Sequence, residues 1–313
     1  MKIVFMGTPD FAVPCLKALH EAGHDIAAVF TQPDKPKNRG HKMTPPPVKV
    51  CAEELGIPVY QPLSLRRNKS DDAADAIETL KNTAPECIVV VAYGQILPKE
   101  VLDIPKYGCI NVHASLLPRY RGAAPIQHCI INGEKESGVT TMYMAEGLDT
   151  GDIILVDKCV IDERMTASEL HDRLSEMGAS LIVKTLEEVE AGTAPRTPQT
   201  DDNTCYASML NKEMCRIDFS KPVNEVYDLI RGMSSSPCAF TMLDGKRFKV
   251  YFAEKTDIKT DLPPGTAADD KLGVSCGGYV LRLTEVQAEG SRKMSSEEYL
   301  RGKKVPEGTV FGE

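Results

Sequence analysis

Three side chains stand out for the chemistry they could do together: Asn111, His113 and Asp149. The first two lie in an apolar run, Gly108-Cys109-Ile110-Asn111-Val112-His113, that reads as a β-strand. Residues two apart on a strand project from one face, so the amide and the imidazole share a face while Ile110 and Val112 pack on the other. At a strand end the pair can donate hydrogen bonds to one developing negative oxygen, and such preorganised donors lower the barrier of acyl transfer. The imidazole can also carry a proton near neutral pH. Asp149 stands in a tight Gly147-Leu148-Asp149-Thr150-Gly151 turn that can aim a carboxylate into a cleft. Between them, Ser115-Leu116-Leu117-Pro118 offers backbone groups rather than charges, and Arg119, Arg121 and Gly122 follow. Taken singly, an Asn or a His at a strand end also serves as a turn or capping residue; it is their combination and order that point to chemistry.

The elements that must position these groups alternate. Lys2 to Met6 and Cys87 to Val91 are short apolar runs typical of buried parallel strands, and Ile26 to Thr31 is a further strand. Helices are expected from Phe11 to Ala22, from Pro47 to Leu55, and from Asp71 to about Asn82 with Ser70 as cap. This alternation argues a doubly wound, mostly parallel α/β sheet, in which ligands bind beyond the carboxyl ends of the strands. Gly7, Tyr93-Gly94 and His113-Ala114 all fall at such ends, so the motifs converge on one cleft. A short helix from Pro125 to Asn132 comes next, and strands over 138–144 and 153–161 flank the Asp149 turn. Thr166-Ala167-Ser168-Glu169 is a capping box opening an amphipathic helix that runs to about Ala191. Residues 192–208, rich in Pro, Thr, Asp and Asn, read as a linker between a catalytic domain over 1–191 and a smaller domain over 209–313. The latter opens with a helix over 222–233. Short strands follow, with hairpin signals at Asp244-Gly245 and Gly277-Gly278, the pattern of a small barrel.

Two local motifs suggest other functions and fail on spacing. A nicotinamide site would need Gly-x-Gly-x-x-Gly after the first strand, and only Gly7 is present. His20-Glu21-Ala22-Gly23-His24 matches a zinc motif in letters, but Gly23 ends a helix more naturally than it continues one, and no third ligand stands out. No metal is therefore expected. The 313-residue chain carries a formal charge of −8, so nucleic acid could meet it only through a local basic patch. The densest such stretch beside the cleft holds Lys35, Lys37, Arg39 and Lys42 against Asp34, in a segment whose prolines and glycine argue against helix and strand through most of its length. From composition alone it is equally a solvated surface loop. Ten cysteines without a Cys-x-x-Cys pair read as buried free thiols in a reducing compartment. With no signal peptide or membrane span expected, the cytoplasm is the predicted location.

Asn-x-His, the SLLP loop, Arg-Tyr-Arg-Gly and the Leu-Asp-Thr-Gly turn, in this order, resemble the folate-dependent formyltransferases. RYRGAAPIQ, the opening GTPDF, AYGQILP and the ending EVQAEGSRKMSSEEYLRG resemble the methionyl-tRNA formyltransferase branch. The resemblance implies a formyltransferase-like Rossmann variant with an OB-like C-terminal β-barrel that supports tRNA binding. It implies 10-formyltetrahydrofolate as donor and initiator methionyl-tRNA as acceptor. Folate would lie between Gln95, Ile96, Leu97 on one side and Ser115, Leu116, Leu117, Pro118 on the other, held mainly by backbone groups. Asn111 and His113 would stabilise the oxyanion of the tetrahedral intermediate. Asp149 would set the state of His113 and help, through water, to remove the amine proton. The basic loop with Lys35, Lys37, Arg39 and Lys42 would reach the acceptor stem. A monomer is expected. Where the family usually carries a tryptophan, in the stretch from Ser234 to Phe240, this chain has none. Rival readings keep the chemistry and change the acceptor to glycinamide ribonucleotide, an amino sugar or water. A non-catalytic RNA-binding module would explain the basic loop and the barrel, and would leave the Asn, His and Asp without a role.

Overall fold

The computed structural model describes residues 1–37 and 42–312. The chain opens with β1 (Lys2–Gly7), a 3-10 turn at Asp10–Ala12, α1 (Val13–Glu21) and β2 (Asp25–Phe30). A hairpin of β3 (Lys35–Lys37) and β4 (Lys42–Thr44) comes next. After it come α2 (Pro47–Glu54), β5 (Val59–Tyr60), α3 (Ala73–Thr83), β6 (Cys87–Val91), α4 (Lys99–Leu102) and β7 (Cys109–His113). Beyond the two-residue β8 (Arg121–Gly122) lie α5 (Pro125–Ile131), β9 (Glu136–Tyr143), β10 (Ile153–Val160) and the long α6 (Ala167–Ala191).

Seven of these strands form one sheet in the order β10-β9-β7-β6-β1-β2-β5. β1 pairs in parallel with β2 and β6, β6 with β7, and β2 with β5, while β9 runs antiparallel to β7. The interior strands are apolar without alternation because both faces are covered. One face carries Val4, Met6, Ala28, Phe30, Ile88, Val90 and Cys109 against Leu65, Ile77 and Leu80. Each such aliphatic side chain removed from water contributes roughly 1.5–3 kcal/mol before the cost of ordering it. On the other face α6 lies across the sheet: Ser175 Oγ donates to the Phe11 carbonyl at 2.8 Å, and Thr141 and Thr185 share a hydrogen bond at 2.9 Å. The Thr166–Glu169 capping box forms as expected, with Thr166 N–H donating to Glu169 Oε2 at 2.8 Å and Glu169 N–H to Thr166 Oγ1 at 3.3 Å.

Two local expectations are corrected, and a third, that Gly23 ends the first helix, is met. The basic stretch includes a short ribbon, with Lys35 opposite Thr44 and Lys37 opposite Lys42. Pro36 fits there because an isolated two-stranded ribbon leaves outward N–H positions that need no partner. Ser70 does not cap α3 directly: no side chain caps that helix, and the Ser70 hydroxyl bonds to the Asp72 carboxylate. α1 ends at Glu21 and Gly23 adopts φ +80°, so His20 and His24 do not share one helical turn.

By compactness the chain divides into two units. The first comprises 1–122, 138–159 and 171–206; the second comprises 123–137, 160–170 and the chain from 207 onward. The second unit therefore includes α5, which packs on α7 (Val223–Met233). Residues 192–206, read from composition as linker, belong to the first unit. The two-residue β11 (Tyr206–Ala207) marks the passage. The C-terminal sheet comprises β12 (Ala239–Leu243), β13 (Lys246–Lys259), β14 (Gly273–Cys276) and β15 (Tyr279–Ala288), in the order β12-β13-β15-β14. β16 (Met294–Ser295) joins β15, and α8 (Ser296–Gly302) follows under a Ser295–Glu298 capping box. Both predicted hairpins form, Leu243 pairing with Lys246 and Cys276 with Tyr279. Asp244 and Gly245 take φ +53° and +69°, the left-handed pair that lets a two-residue turn follow strand twist. Register shifts along β13 bend it over a core of Ile230, Phe248, Val250, Leu281 and Val286, giving a curled, barrel-like sheet. Among the described residues no helix is long and apolar enough to cross a membrane.

Candidate active site

β7 ends at His113, and its alternation decides which groups face which layer. Val112 lies on the α6 side, its Cγ1 close to the backbone of Gly178. Cys109 belongs to the opposite core, so Asn111 and His113, at even spacing from it, face away from α6. Both are buried. The strand ends beside them are tied together by Thr8, which donates to the Tyr93 carbonyl at 2.9 Å and accepts the Gln32 amide at 3.3 Å.

His113 is oriented by backbone. Its Nε2 lies 2.9 Å from the Tyr120 carbonyl, which can only accept, so Nε2 carries a hydrogen. Nδ1 therefore bears the lone pair of the neutral ring and stands 3.8 Å from Asp149 Oδ2. That distance exceeds a direct hydrogen bond. Nδ1 is thus the atom at which this ring can take up a proton and, once protonated, donate it while facing a carboxylate. Asp149 Oδ2 also accepts the Gly122 N–H at 2.8 Å. The carboxylate is aimed by a backbone at φ +52°, a left-handed conformation that Asp tolerates better than most side chains. The turn it sits in closes tightly, because Tyr143 N–H donates to the Asp152 carbonyl at 2.9 Å and a Cβ on Gly151 would collide with the Tyr143 carbonyl.

The residues expected to line a folate pocket lie after the carboxyl ends of the adjacent parallel strands β6 and β7. Their side chains are largely spent on the loops themselves. Gln95 accepts the Leu65 N–H at 3.0 Å and donates to the Pro62 carbonyl at 2.9 Å. Ser115 Oγ donates to the Arg119 carbonyl at 2.7 Å. Leu97 and Leu117 are buried, Leu116 and Pro118 half-buried, and Ile96 is exposed. Thr140, opposite His113 in the register, donates to the Ser115 carbonyl at 2.7 Å and accepts the Leu117 N–H at 3.2 Å. Thr140 was not foreseen, since one Thr in an apolar strand carries no pattern that marks it.

Of the basic residues, Lys35 is exposed at the foot of the hairpin, Lys37 and Lys42 occupy its facing strand positions, and Arg39 lies outside the described residues. The base of this segment is clamped. Lys49 Nζ reaches Asp34 Oδ1 at 3.0 Å and Gln61 Oε1 at 2.8 Å, while Gln61 Nε2 donates to Asp34 Oδ1 at 2.8 Å and to the Gln32 carbonyl at 2.9 Å. Hydrogen bonds from Gln61 and then Lys49 hold the Asp34 carboxyl below the usual carboxylate range.

The formyl transferase family matches residues 1–186, and the formyl transferase C-terminal domain family matches residues 209–304. A methionyl-tRNA formyltransferase of Caldanaerobacter subterraneus subsp. tengcongensis is 49% identical over 313 residues, covering 99% of this chain and 100% of its own. One from Pelotomaculum thermopropionicum is 50% identical over 317 residues, covering 100% and 99%. The chain belongs to the methionyl-tRNA formyltransferase family. Among solved structures, the sugar 3N-formyl transferase WlaRD superposes with a TM-score of 0.68 at 21% identity, covering 93% of this chain and 99% of that one. The N-formyltransferase of Helicobacter canadensis, in complex with folinic acid and dTDP-3-aminofucose, gives 0.66 at 19%, covering 94% and 100%. At such identities these two likenesses speak for the fold. In this methionyl-tRNA formyltransferase family member, Asn111, His113 and Asp149 stand on one side of the sheet's carboxyl edge, within the part that the first family match spans.

Proposed function

We infer that this enzyme transfers the formyl group of 10-formyltetrahydrofolate to the α-amine of methionine on initiator tRNA, giving formylmethionyl-tRNA for translation initiation. The observation that carries the reading is near-50% identity with methionyl-tRNA formyltransferases from end to end, in a chain whose His113 faces Asp149 at the end of the strand that also carries Asn111. The neutral amine attacks the formyl carbon, and the carbonyl electrons move to oxygen. Asn111 donates a hydrogen bond to that oxyanion, and His113 becomes a second donor once its Nδ1 has taken the amine proton. His113 Nδ1 takes the proton the amine nitrogen loses, and Asp149 opposite it steadies the imidazolium. Collapse of the intermediate breaks the bond between carbon and the folate nitrogen, and Nδ1–H returns the proton to that leaving group. The donor brings an already activated formyl group, so the reaction as read uses no metal.

Residues 95–97 and 115–118 hold folate chiefly through backbone groups, which fits side chains already committed within their loops. Asn111, His113 and Asp149 lie in the first compact unit, which is the catalytic one, and the second unit, with the chain from 207 onward, supports tRNA. Lys35, Lys37, Arg39 and Lys42 contact the acceptor stem. The enzyme acts as a monomer in the cytoplasm. The test is an acceptor competition: supply 10-formyltetrahydrofolate with methionyl-tRNA, glycinamide ribonucleotide and a dTDP-amino sugar, and follow each product beside formate. Formylmethionyl-tRNA should dominate. Faster formylation of a small amine, or formate as main product, would move the chain to a rival reading.

A further inference from the structure

The segment between the two family matches, which end at 186 and resume at 209, holds a side chain bonded to the Asp149 turn itself. Gln199 Nε2 donates to the Asp149 carbonyl at 2.9 Å and to the Gly151 carbonyl at 2.8 Å. Its Oε1 accepts Arg121 Nε at 3.1 Å and Nη2 at 3.0 Å. The amide can sit only one way round, since a guanidinium only donates and a carbonyl only accepts. Arg121 is buried, and its Nη1 reaches Asp201 at 3.1 Å while its backbone N–H donates to the Cys205 carbonyl at 3.0 Å. The segment is also fixed just before Gln199: Thr197 exchanges hydrogen bonds with Ile153 at 2.9 and 3.0 Å, and the Arg196 guanidinium lies 3.8 Å over the Tyr143 ring. Arg121 immediately precedes Gly122, whose amide holds the Asp149 carboxylate. One buried arginine thus ties both holds on Asp149 together.

We propose that Gln199, locked by Arg121, is a positioning residue for Asp149: it fixes the 149–151 turn so that the carboxylate faces His113 Nδ1. The proposal rests on the reading of Asp149 given above. Misplacing a catalytic group by about 1 Å can cost on the order of a hundredfold in rate. Gln199→Glu separates positioning from packing. The new carboxylate still accepts from Arg121, but it turns oxygen toward two carbonyl oxygens and so pushes the turn away.

The experiment measures kcat and KM for formylation of methionyl-tRNA, folate affinity and Tm in Gln199→Glu, Asp149→Asn and the double variant, all in the full chain. Gln199→Glu should keep both KM values and folate affinity, with a modest drop in Tm, while kcat falls about 10- to 100-fold. In the Asp149→Asn background it should cost little more, because the group it positions is already gone. Wild-type kcat in Gln199→Glu beside an impaired Asp149→Asn would overturn the proposal alone, as would an equal loss in both backgrounds. Full activity in Asp149→Asn would overturn the reading of Asp149 and this proposal with it. Should Gln199→Glu not fold, Gln199→Ala, which opens space for water beside Arg121, answers to the same cycle.

Discussion

At the scale of residues, the arrangement turns on one nitrogen. The Tyr120 carbonyl takes the Nε2 hydrogen of His113 and so directs Nδ1 toward Asp149. Asp149→Asn keeps a side chain that suits a left-handed turn as well as aspartate does, and it keeps a carbonyl oxygen for the Gly122 amide. It removes the charge that steadies the imidazolium. The fold should survive and most single-turnover activity should be lost; a rate near wild type would reduce Asp149 to a turn former. Asn111 and His113 were legible in the sequence because a period of two fixes a shared face wherever the strand falls. The tautomer was not, since it depends on the carbonyl of Tyr120, seven residues on. Nor was Gln199, a lone polar residue in a stretch without periodicity.

At the scale of elements, the main strands and helices were readable from apolar runs and turn glycines, but the short basic ribbon and the side-chain ties between loops were not. Asp34, Lys49 and Gln61 come from three separate segments and meet under the basic hairpin. If they steady it for tRNA, Asp34→Asn should lower kcat/KM for methionyl-tRNA several-fold and leave folate affinity unchanged. Equal loss of both would assign the clamp to the pocket instead. Because the folded Asp34 carboxyl is depressed, its stabilising contribution is fully present above the unfolded value of about 3.9 and disappears as pH falls through the lower folded value. The clamp should therefore be indifferent to pH between 6 and 8, as assays of tRNA use at those pH values can check. The helices and strands also seal the thiols. Nine of the ten free cysteines are buried, and burial pushes Cys15 and Cys109 up to about 12. A thiol reagent should modify about one cysteine, Cys205, before unfolding. Rapid reaction of three or more would contradict this packing.

At the scale of the whole molecule, sequence composition suggests a catalytic domain complete before its linker, so that a chain ending near Asn203 would fold alone. The structure shifts that expectation. Residues 123–137 and 160–170 pack with the second unit, where α5 lies on α7, and the Cys205 carbonyl that holds Arg121 lies beyond the cut. The truncated chain should melt well below the full one and expose apolar surface to a dye. A melting temperature equal to that of the full chain would show the first unit to be self-sufficient. Composition could not reveal this, because an apolar helix such as α5 reads the same whichever core it packs on, and only long-range packing assigns it.

The central claim is that Asn111 and His113 act on the transition state of formyl transfer to methionyl-tRNA, and not on folate binding. The measurement is single-turnover formylation of methionyl-tRNA by the wild type, Asn111→Ala and His113→Ala, beside folate affinity in the same preparations. Each substitution should cost ~3 kcal/mol, about a hundredfold in rate, with folate affinity unchanged. Near-normal turnover in both variants, or a rate loss fully matched by lost folate affinity, would contradict the account.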